Sequence, residues 1–147
     1  MLFICVILAV GCPAIWIDAR TNRIPNVLVL AALLMACAIQ LLLNGTAGII
    51  AALGGAAVGL AFLLPLHLAG AMGAGDVKFM AALSALLGTE AAIVAGALTL
   101  IAGAALAVVL VTWRLRPTRD ARLPAPVRVP YAAAIVAGAC VASLVGR

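Results

Sequence analysis

Apolar runs of about 16 to 23 residues follow one another along nearly the whole chain, and they limit the possible folds more than any other feature. Only 9% of the 147 residues are charged, whereas about a quarter of a soluble domain is charged. Because lipid offers no partner for backbone N–H and C=O groups, each run that crosses a bilayer must be helical. The runs do not alternate as the strands of a membrane barrel do. We therefore predict an all-α membrane protein with a single domain over residues 1–147.

Turn residues and charges divide the apolar runs into a predicted bundle of about six transmembrane helices. The predicted spans are 2–17, 26–43, 47–66, 74–88, 91–113 and 130–146. No Lys or Arg precedes the first run, so we interpret it as a retained span and not as a cleaved signal peptide. The turn at Asn44-Gly45-Thr46 separates the second span from the third, and Gly88 ends the fourth.

The basic residues predict how this bundle is oriented. Eight of the nine Lys and Arg residues fall in or beside the connections after the first, third and fifth spans, and Arg147 falls on the other side. Basic loops face the cytoplasm, so both termini are predicted on the non-cytoplasmic side. The net charge of +5 is thus explained by basic residues that orient the bundle in the membrane. Nucleic acid is therefore not an expected partner. The segment 114–128 is interpreted as a basic loop at the lipid surface, with guidance of a charged substrate as the alternative.

The four cysteines are predicted to be buried free thiols that act as small apolar side chains. They are far apart in apolar runs, without CxxC pairs and without neighbouring His or carboxylate ligands: Cys5, Cys12, Cys37 and Cys140. Neither a zinc site nor a disulfide framework is indicated. We expect no metal and no cofactor.

Two of the four acidic residues lie beside apolar spans and carry the functional prediction. Asp18 follows the first span, and Asp76 lies behind Gly73 and Gly75 in AMGAGDVKFM. Two spans separate the acids, so both are expected at one depth on the cytoplasmic side. Two close carboxylates share a proton, so the ionised one can activate water while the protonated one polarises a peptide carbonyl. The glycines would break the helix locally, permit unusual backbone angles and admit an extended peptide.

Structural and functional alternatives remain open for these acids. Asp18 can simply end the first span and cap the next segment, and Asp76 can pair with Lys78 or cap the fourth span. A different function is a small ion- or proton-coupled transporter that uses Asp76 within the membrane. A third is a non-catalytic subunit of a pilus or secretion machine.

The residues around the two acids resemble those of the type IV prepilin peptidases, a family of GxGD aspartyl proteases. Asp18 is followed after six residues by Pro25-Asn26, and GAGDVK at 73–78 matches the GxGD motif together with its following V-K. The late VPYAAAIVAG at 129–138 is similar to a P-Y-G segment that opens the last span of many members. Ala132 stands where that segment usually has Gly.

The resemblance implies a role for each of these residues. Asp18 and Asp76 would be the catalytic pair, and Gly73 and Gly75 would shape the substrate's approach. Lys78 would either position substrate or snorkel to the membrane interface. Arg23 and Asn26 would hold the first loop.

The resemblance also implies a substrate and a location. The substrate would be a prepilin with a short basic leader, cut after a glycine at the cytoplasmic face of the bacterial inner membrane. Long members carry a cytoplasmic domain with cysteine pairs, which this sequence lacks. It resembles the short members that serve tight-adherence, Flp-type pili, which implies peptidase activity without N-methylation. The expected partners are a Flp-type prepilin or pseudopilin, the lipid bilayer and, if the enzyme is a homodimer, a second copy of the chain.

Overall fold

The computed structural model describes residues 1–21, 24–70, 72–114 and 131–145. Its regular elements are five helices, named α1 (Leu2–Thr21), α2 (Asn26–Leu68), α3 (Ala74–Leu87), α4 (Thr89–Arg114) and α5 (Tyr131–Val145). α1, α2 and the Thr89–Val109 part of α4 are long and apolar enough to cross a membrane, and α5 is a shorter apolar helix. These helices confirm an all-α membrane protein. Apart from Arg114, the predicted basic loop 114–128 lies outside the described residues.

α2 folds back on itself at Gly45. A straight helix of its 43 residues would be about 65 Å long, roughly twice the thickness of the hydrocarbon core of a bilayer. Gly45 interrupts the helix with φ 60° and ψ −142°. A Cβ atom on Gly48 would touch the carbonyl oxygen of Gln40, although a straight helix separates such residues by about 12 Å along its axis. The predicted turn is therefore confirmed, and the arms 26–44 and 46–68 run side by side.

α3 lies at the centre of the bundle. Ten of its 14 residues are buried, and it contacts α1, α2, α4 and α5. The second arm of α2 approaches it closely because Gly55 and Gly59 carry no side chain, and a Cβ atom on either would meet Ser84. Gly55 and Gly59 form a GxxxG in the sequence, a spacing that is typical of such close packing between membrane helices.

A buried amide holds the C-terminal end of α3. Gln40 is 4% exposed and donates from Nε2 to the carbonyl oxygen of Leu86 at 2.8 Å, while its Oε1 accepts from Nδ2 of Asn44 at 2.8 Å. The last carbonyls of a helix lack partners within the helix, and leaving one unpaired in an apolar interior is costly. Gly88, with φ 79°, ends α3 as predicted. The bend of α2 and the C-terminus of α3 therefore lie at the same end of the bundle.

α5 packs against α1 and α4 through glycines on those two helices. A Cβ atom on Gly11 of α1 would lie 2.7 Å from a methyl carbon of Val136. A Cβ atom on Gly103 of α4 would lie 2.7 Å from Cε1 of Tyr131. These close approaches bring the first turn of α5 beside the C-terminal half of α4, and Val136 beside the middle of α1.

The cysteines are all free, but they are not all buried. Cys37 and Cys140 are half-buried, whereas Cys5 and Cys12 are exposed on the outer face of α1. The prediction of burial is therefore wrong for Cys5 and Cys12. An apolar sequence does not distinguish the two positions, because a membrane helix carries apolar residues on its lipid face as well as on its core face.

Candidate active site

Asp18 lies within the last turns of α1. The helix continues to Thr21, so the interpretation of Asp18 as the residue that ends the first span is wrong. The side chain is 7% exposed, and the backbone N–H of Ala132, in the first turn of α5, faces its carboxylate. Helix N-termini stabilise negative charge. The Oδ2 atom of Asp18 is buried and has no hydrogen-bond partner within the described part of the chain, which is rare for a carboxylate oxygen.

Asp76 lies in the first turn of α3, three residues after the N-cap residue Gly73. Its carboxylate faces the backbone N–H of Gly73, as an acid does when it reaches back from this position of a helix. The structure therefore supports the interpretation of Asp76 as a capping residue. Within the described residues, the side chains of Asp76 and Lys78 form no ion pair, and Lys78 donates to Asn26 instead.

The structure brings these two carboxylates together at one end of the bundle. Asp18 and Asp76 are 7% and 9% exposed, and they are near enough to repel each other electrostatically. Two like charges at close range in a buried site disfavour simultaneous ionisation of both groups. Within the described residues, no third His, Cys, Asp or Glu joins them to form a metal-binding cluster.

Gly73 and Gly75 do not serve the backbone role that was predicted. Gly73 has φ −71° and ψ 146°, which any residue adopts, and Gly75 lies within α3 without a positive φ. The expectation of unusual backbone angles is therefore wrong for both glycines. Gly75 does not break the helix, whereas Gly73 lies outside it, directly before α3 begins. Gly73 is exposed, and a Cβ atom there would lie 3.3 Å from Oδ2 of Asp76. Glycine at this position therefore adds no side chain beside the Asp76 carboxylate.

The segment that follows α1 packs against the first turns of α3. A Cβ atom on Gly75 would lie 3.4 Å from the backbone nitrogen and oxygen of Ile24, which is 6% exposed. Asn26 accepts a hydrogen bond at 3.5 Å from Nζ of Lys78. The two sequence motifs are therefore in direct contact. Asn26 links the start of α2 to α3, in line with its predicted role in holding the first loop, while Arg23 lies outside the described residues.

Lys78 is not brought to the pair of carboxylates. It follows Asp76 by two positions, which corresponds to about 200° around the helix axis. Its side chain is exposed, and its partner within the described residues is Asn26. Lys78 therefore points to a different face of α3 from Asp76.

Two contacts near the pair were not predicted from the sequence. The main-chain N–H of Ala132 faces Asp18, and a backbone donor leaves no mark in the sequence. His67 Nδ1 lies 3.0 Å from the carbonyl oxygen of Met72 and so ties down the loop that leads to Gly73. His67 is the one histidine of the chain, which was a usable signal for a polar contact.

The family model described as the type IV leader peptidase family matches residues 2–108. This match covers well over half of the 147 residues and includes both carboxylates and the glycines beside them. α5 lies beyond it. No curated protein and no solved structure matches the chain.

Proposed function

The chain belongs to the type IV leader peptidase family, and from this premise we propose that it is an aspartic endopeptidase that removes the short basic leader of prepilins. Family membership makes it a membrane protease of the prepilin leader peptidase type. The observation that supports an aspartic mechanism is the approach of two buried carboxylates, Asp18 and Asp76, at one end of the bundle. The catalytic role of this pair is the proposal.

In the proposed reaction, the pair carries one proton and acts on a water molecule. The ionised carboxylate takes a proton from the water as the water oxygen attacks the peptide carbonyl carbon. The protonated carboxyl donates a hydrogen bond to the carbonyl oxygen and stabilises its developing charge. The C–N bond then breaks, and the leaving amine takes a proton from the pair. We assign the water contact to Oδ2 of Asp18, because this oxygen has no partner within the described part of the chain.

We place the site at the cytoplasmic face of the bacterial inner membrane. Arg20 is in the last turn of α1 and Lys78 is near the start of α3, at the end of the bundle that holds the carboxylates. Glu90 is in the first turn of α4, at the opposite end. Basic residues favour the cytoplasmic side. In the proposed arrangement, the two arms of α2 are counted separately, which gives six spans with both termini outside.

The proposed substrate is a Flp-type prepilin or a pseudopilin, cleaved after a glycine and not methylated. Its extended backbone would pass over Gly73, where residue 73 adds no side chain beside the Asp76 carboxylate. Gly75 already contacts Ile24, so a direct contact of Gly75 with substrate stays a prediction. The same holds for a substrate contact of Lys78.

We predict that Gly73→Val lowers cleavage without lowering stability. The backbone of Gly73 suits any residue, so the fold tolerates valine, but the new side chain would stand over Asp76. Displacing a substrate by about 1 Å can cost about 100-fold in rate, and we expect a loss of that order. The control is Ala74→Val, which adds the same side chain at the exposed neighbouring residue. Equal cleavage by Gly73→Val and Ala74→Val would exclude substrate passage over Gly73.

The proposed function is tested by a cleavage assay with the purified full-length chain in liposomes. A candidate Flp-type prepilin is added, and mass spectrometry reads the mass and the new N-terminus of the product as a function of pH. We expect a single cut after a glycine and a bell-shaped pH profile, because one member of the pair must be ionised and the other protonated. If no prepilin is cut but the liposomes show a proton or cation flux that requires Asp76, the chain is a transporter instead.

A further inference from the structure

An apolar groove with a volume of about 710 Å³ runs along α3 on the Lys78 face. Both arms of α2 and one face of α3 form its walls. Its lining includes Leu30, Ala57, Leu60 and Ala81, with Asn26 and Lys78 at the polar end. Ligand pockets in proteins span roughly 300 to 1,000 Å³, so the groove is large enough for part of a lipid.

The apolar part of the groove opens outward. Leu30 and Leu60 are 56% and 40% exposed, and Ala57 is exposed beside them, whereas Ala81 forms a floor at 9% exposure. In a membrane protein, an outward apolar surface faces hydrocarbon. The groove is therefore shaped to receive an acyl chain.

The polar end of the groove offers donors and a positive charge. Nζ of Lys78 has three N–H donors, and its recorded partner within the described residues is Asn26 Oδ1 at a long 3.5 Å. The side-chain NH₂ group of Asn26 adds further donors. The two residues lie at the end of the bundle that carries Arg20 and the carboxylate pair. This end therefore suits a phosphate group at the membrane surface.

We propose that this groove binds an anionic phospholipid, with its phosphate at Lys78 and Asn26 and an acyl chain between the arms of α2. The charge of Lys78 favours an anionic lipid over a prepilin as the ligand of this groove. The expected leader of a prepilin is basic, so Lys78 would repel it. The lipid would fill a groove between α2 and α3, the helix that carries Asp76. The inference does not depend on peptidase activity.

Lipid binding to the purified full-length chain tests this proposal. The protein in neutral detergent is titrated with phosphatidylglycerol or with phosphatidylcholine of identical acyl chains, and native mass spectrometry counts the bound lipids. A basic residue near an anionic headgroup corresponds to about a fivefold difference in affinity, so we expect the wild type to prefer phosphatidylglycerol by about that factor. An equal affinity for both lipids would overturn the proposal.

Four variants locate the binding site. Lys78→Gln should lose the preference and Lys78→Arg should keep it, whereas Arg20→Gln removes a charge outside the groove and should also keep it. Ala57→Phe fills the groove and should weaken binding of both lipids. Each variant is first required to match the wild type in size-exclusion chromatography. A preference that survives Lys78→Gln, or binding that survives Ala57→Phe, would place the lipid elsewhere and overturn the proposal.

Discussion

Replacing either Asp18 or Asp76 by asparagine is expected to reduce prepilin cleavage by at least about a hundredfold, while the protein still inserts into the membrane. Asparagine has nearly the shape of aspartate, but it cannot take a proton from water or donate one as a carboxylic acid does. Each aspartate is buried, so the amide keeps the packing around it. The loss should therefore be in the rate of the chemical step and not in the amount of folded protein.

The cleavage rate is measured by mass spectrometry at equal amounts of membrane-extracted protein. Glu90→Gln is the matched control, because it removes a carboxylate at the opposite end of the bundle and should leave the rate unchanged. The double variant Asp18→Asn, Asp76→Asn should be no slower than the slower single variant, since the two groups act as a unit. A cleavage rate within tenfold of the wild type in either single variant would exclude a catalytic role for the Asp18–Asp76 pair.

A purely structural role predicts a different result for Asp76. Its carboxylate faces the N–H of Gly73, and an asparagine oxygen at this position accepts the same hydrogen bond. If capping were its whole contribution, Asp76→Asn would cleave normally and Asp76→Ala would be destabilised by about 1 kcal/mol. Comparing the asparagine and alanine variants in both rate and stability therefore separates catalysis from capping.

The sequence predicted those features of the fold that depend on local backbone chemistry. Gly45 and Gly88 adopt positive φ angles at the two predicted helix ends, a conformation that glycine takes without steric cost. The GxxxG pair Gly55 and Gly59 likewise marks a close contact, because only glycine removes the side chain from both positions. In each case, one residue type has a property that no neighbour supplies.

The orientation of side chains around the helices was not predictable in the same way. Helices that are apolar all round show no periodic change in hydropathy that would mark the core face, so nothing distinguished exposed Cys5 from buried Ile7. The two spans between Asp18 and Asp76 predict that both acids lie at one end of the bundle, but they carry no information about Ala132. That contact joins residues more than 100 positions apart through a main-chain N–H.

Gly55→Ala is expected to destabilise the protein even though alanine is the better helix former. In a free helix this change stabilises by about 1 kcal/mol. Here the added Cβ would meet the backbone carbonyl of Ser84 and lie 3.1 Å from the backbone of Gly88, and neither can rotate away. Overpacking of this kind costs about 1 to 3 kcal/mol, so the expected net effect is a lower melting temperature in detergent.

Gly54→Ala provides the control for the same chemical change one residue earlier in α2. Its Cβ would lie 2.5 Å from Oγ1 of Thr89, an exposed side chain whose hydroxyl can turn away. We expect its melting temperature to equal or exceed that of the wild type. If the two alanine variants shifted the melting temperature in the same direction, close contact between α2 and α3 would not be the reason for glycine at residue 55.

Gly55→Ala also tests whether α3 transmits this contact to the carboxylate pair. Gly55 meets the C-terminal half of α3, whereas Asp76 lies in its first turn, and most of the helix between them is buried. Closely packed helices pass strain along their length, so pushing Ser84 outward should move Asp76 relative to Asp18. A shift of about 1 Å would lower cleavage per folded molecule by about 100-fold. Normal cleavage by the folded fraction would instead mean that the C-terminal end of α3 yields locally. The position of Asp76 beside Gly73 and near Asp18 would then be independent of that end of the helix.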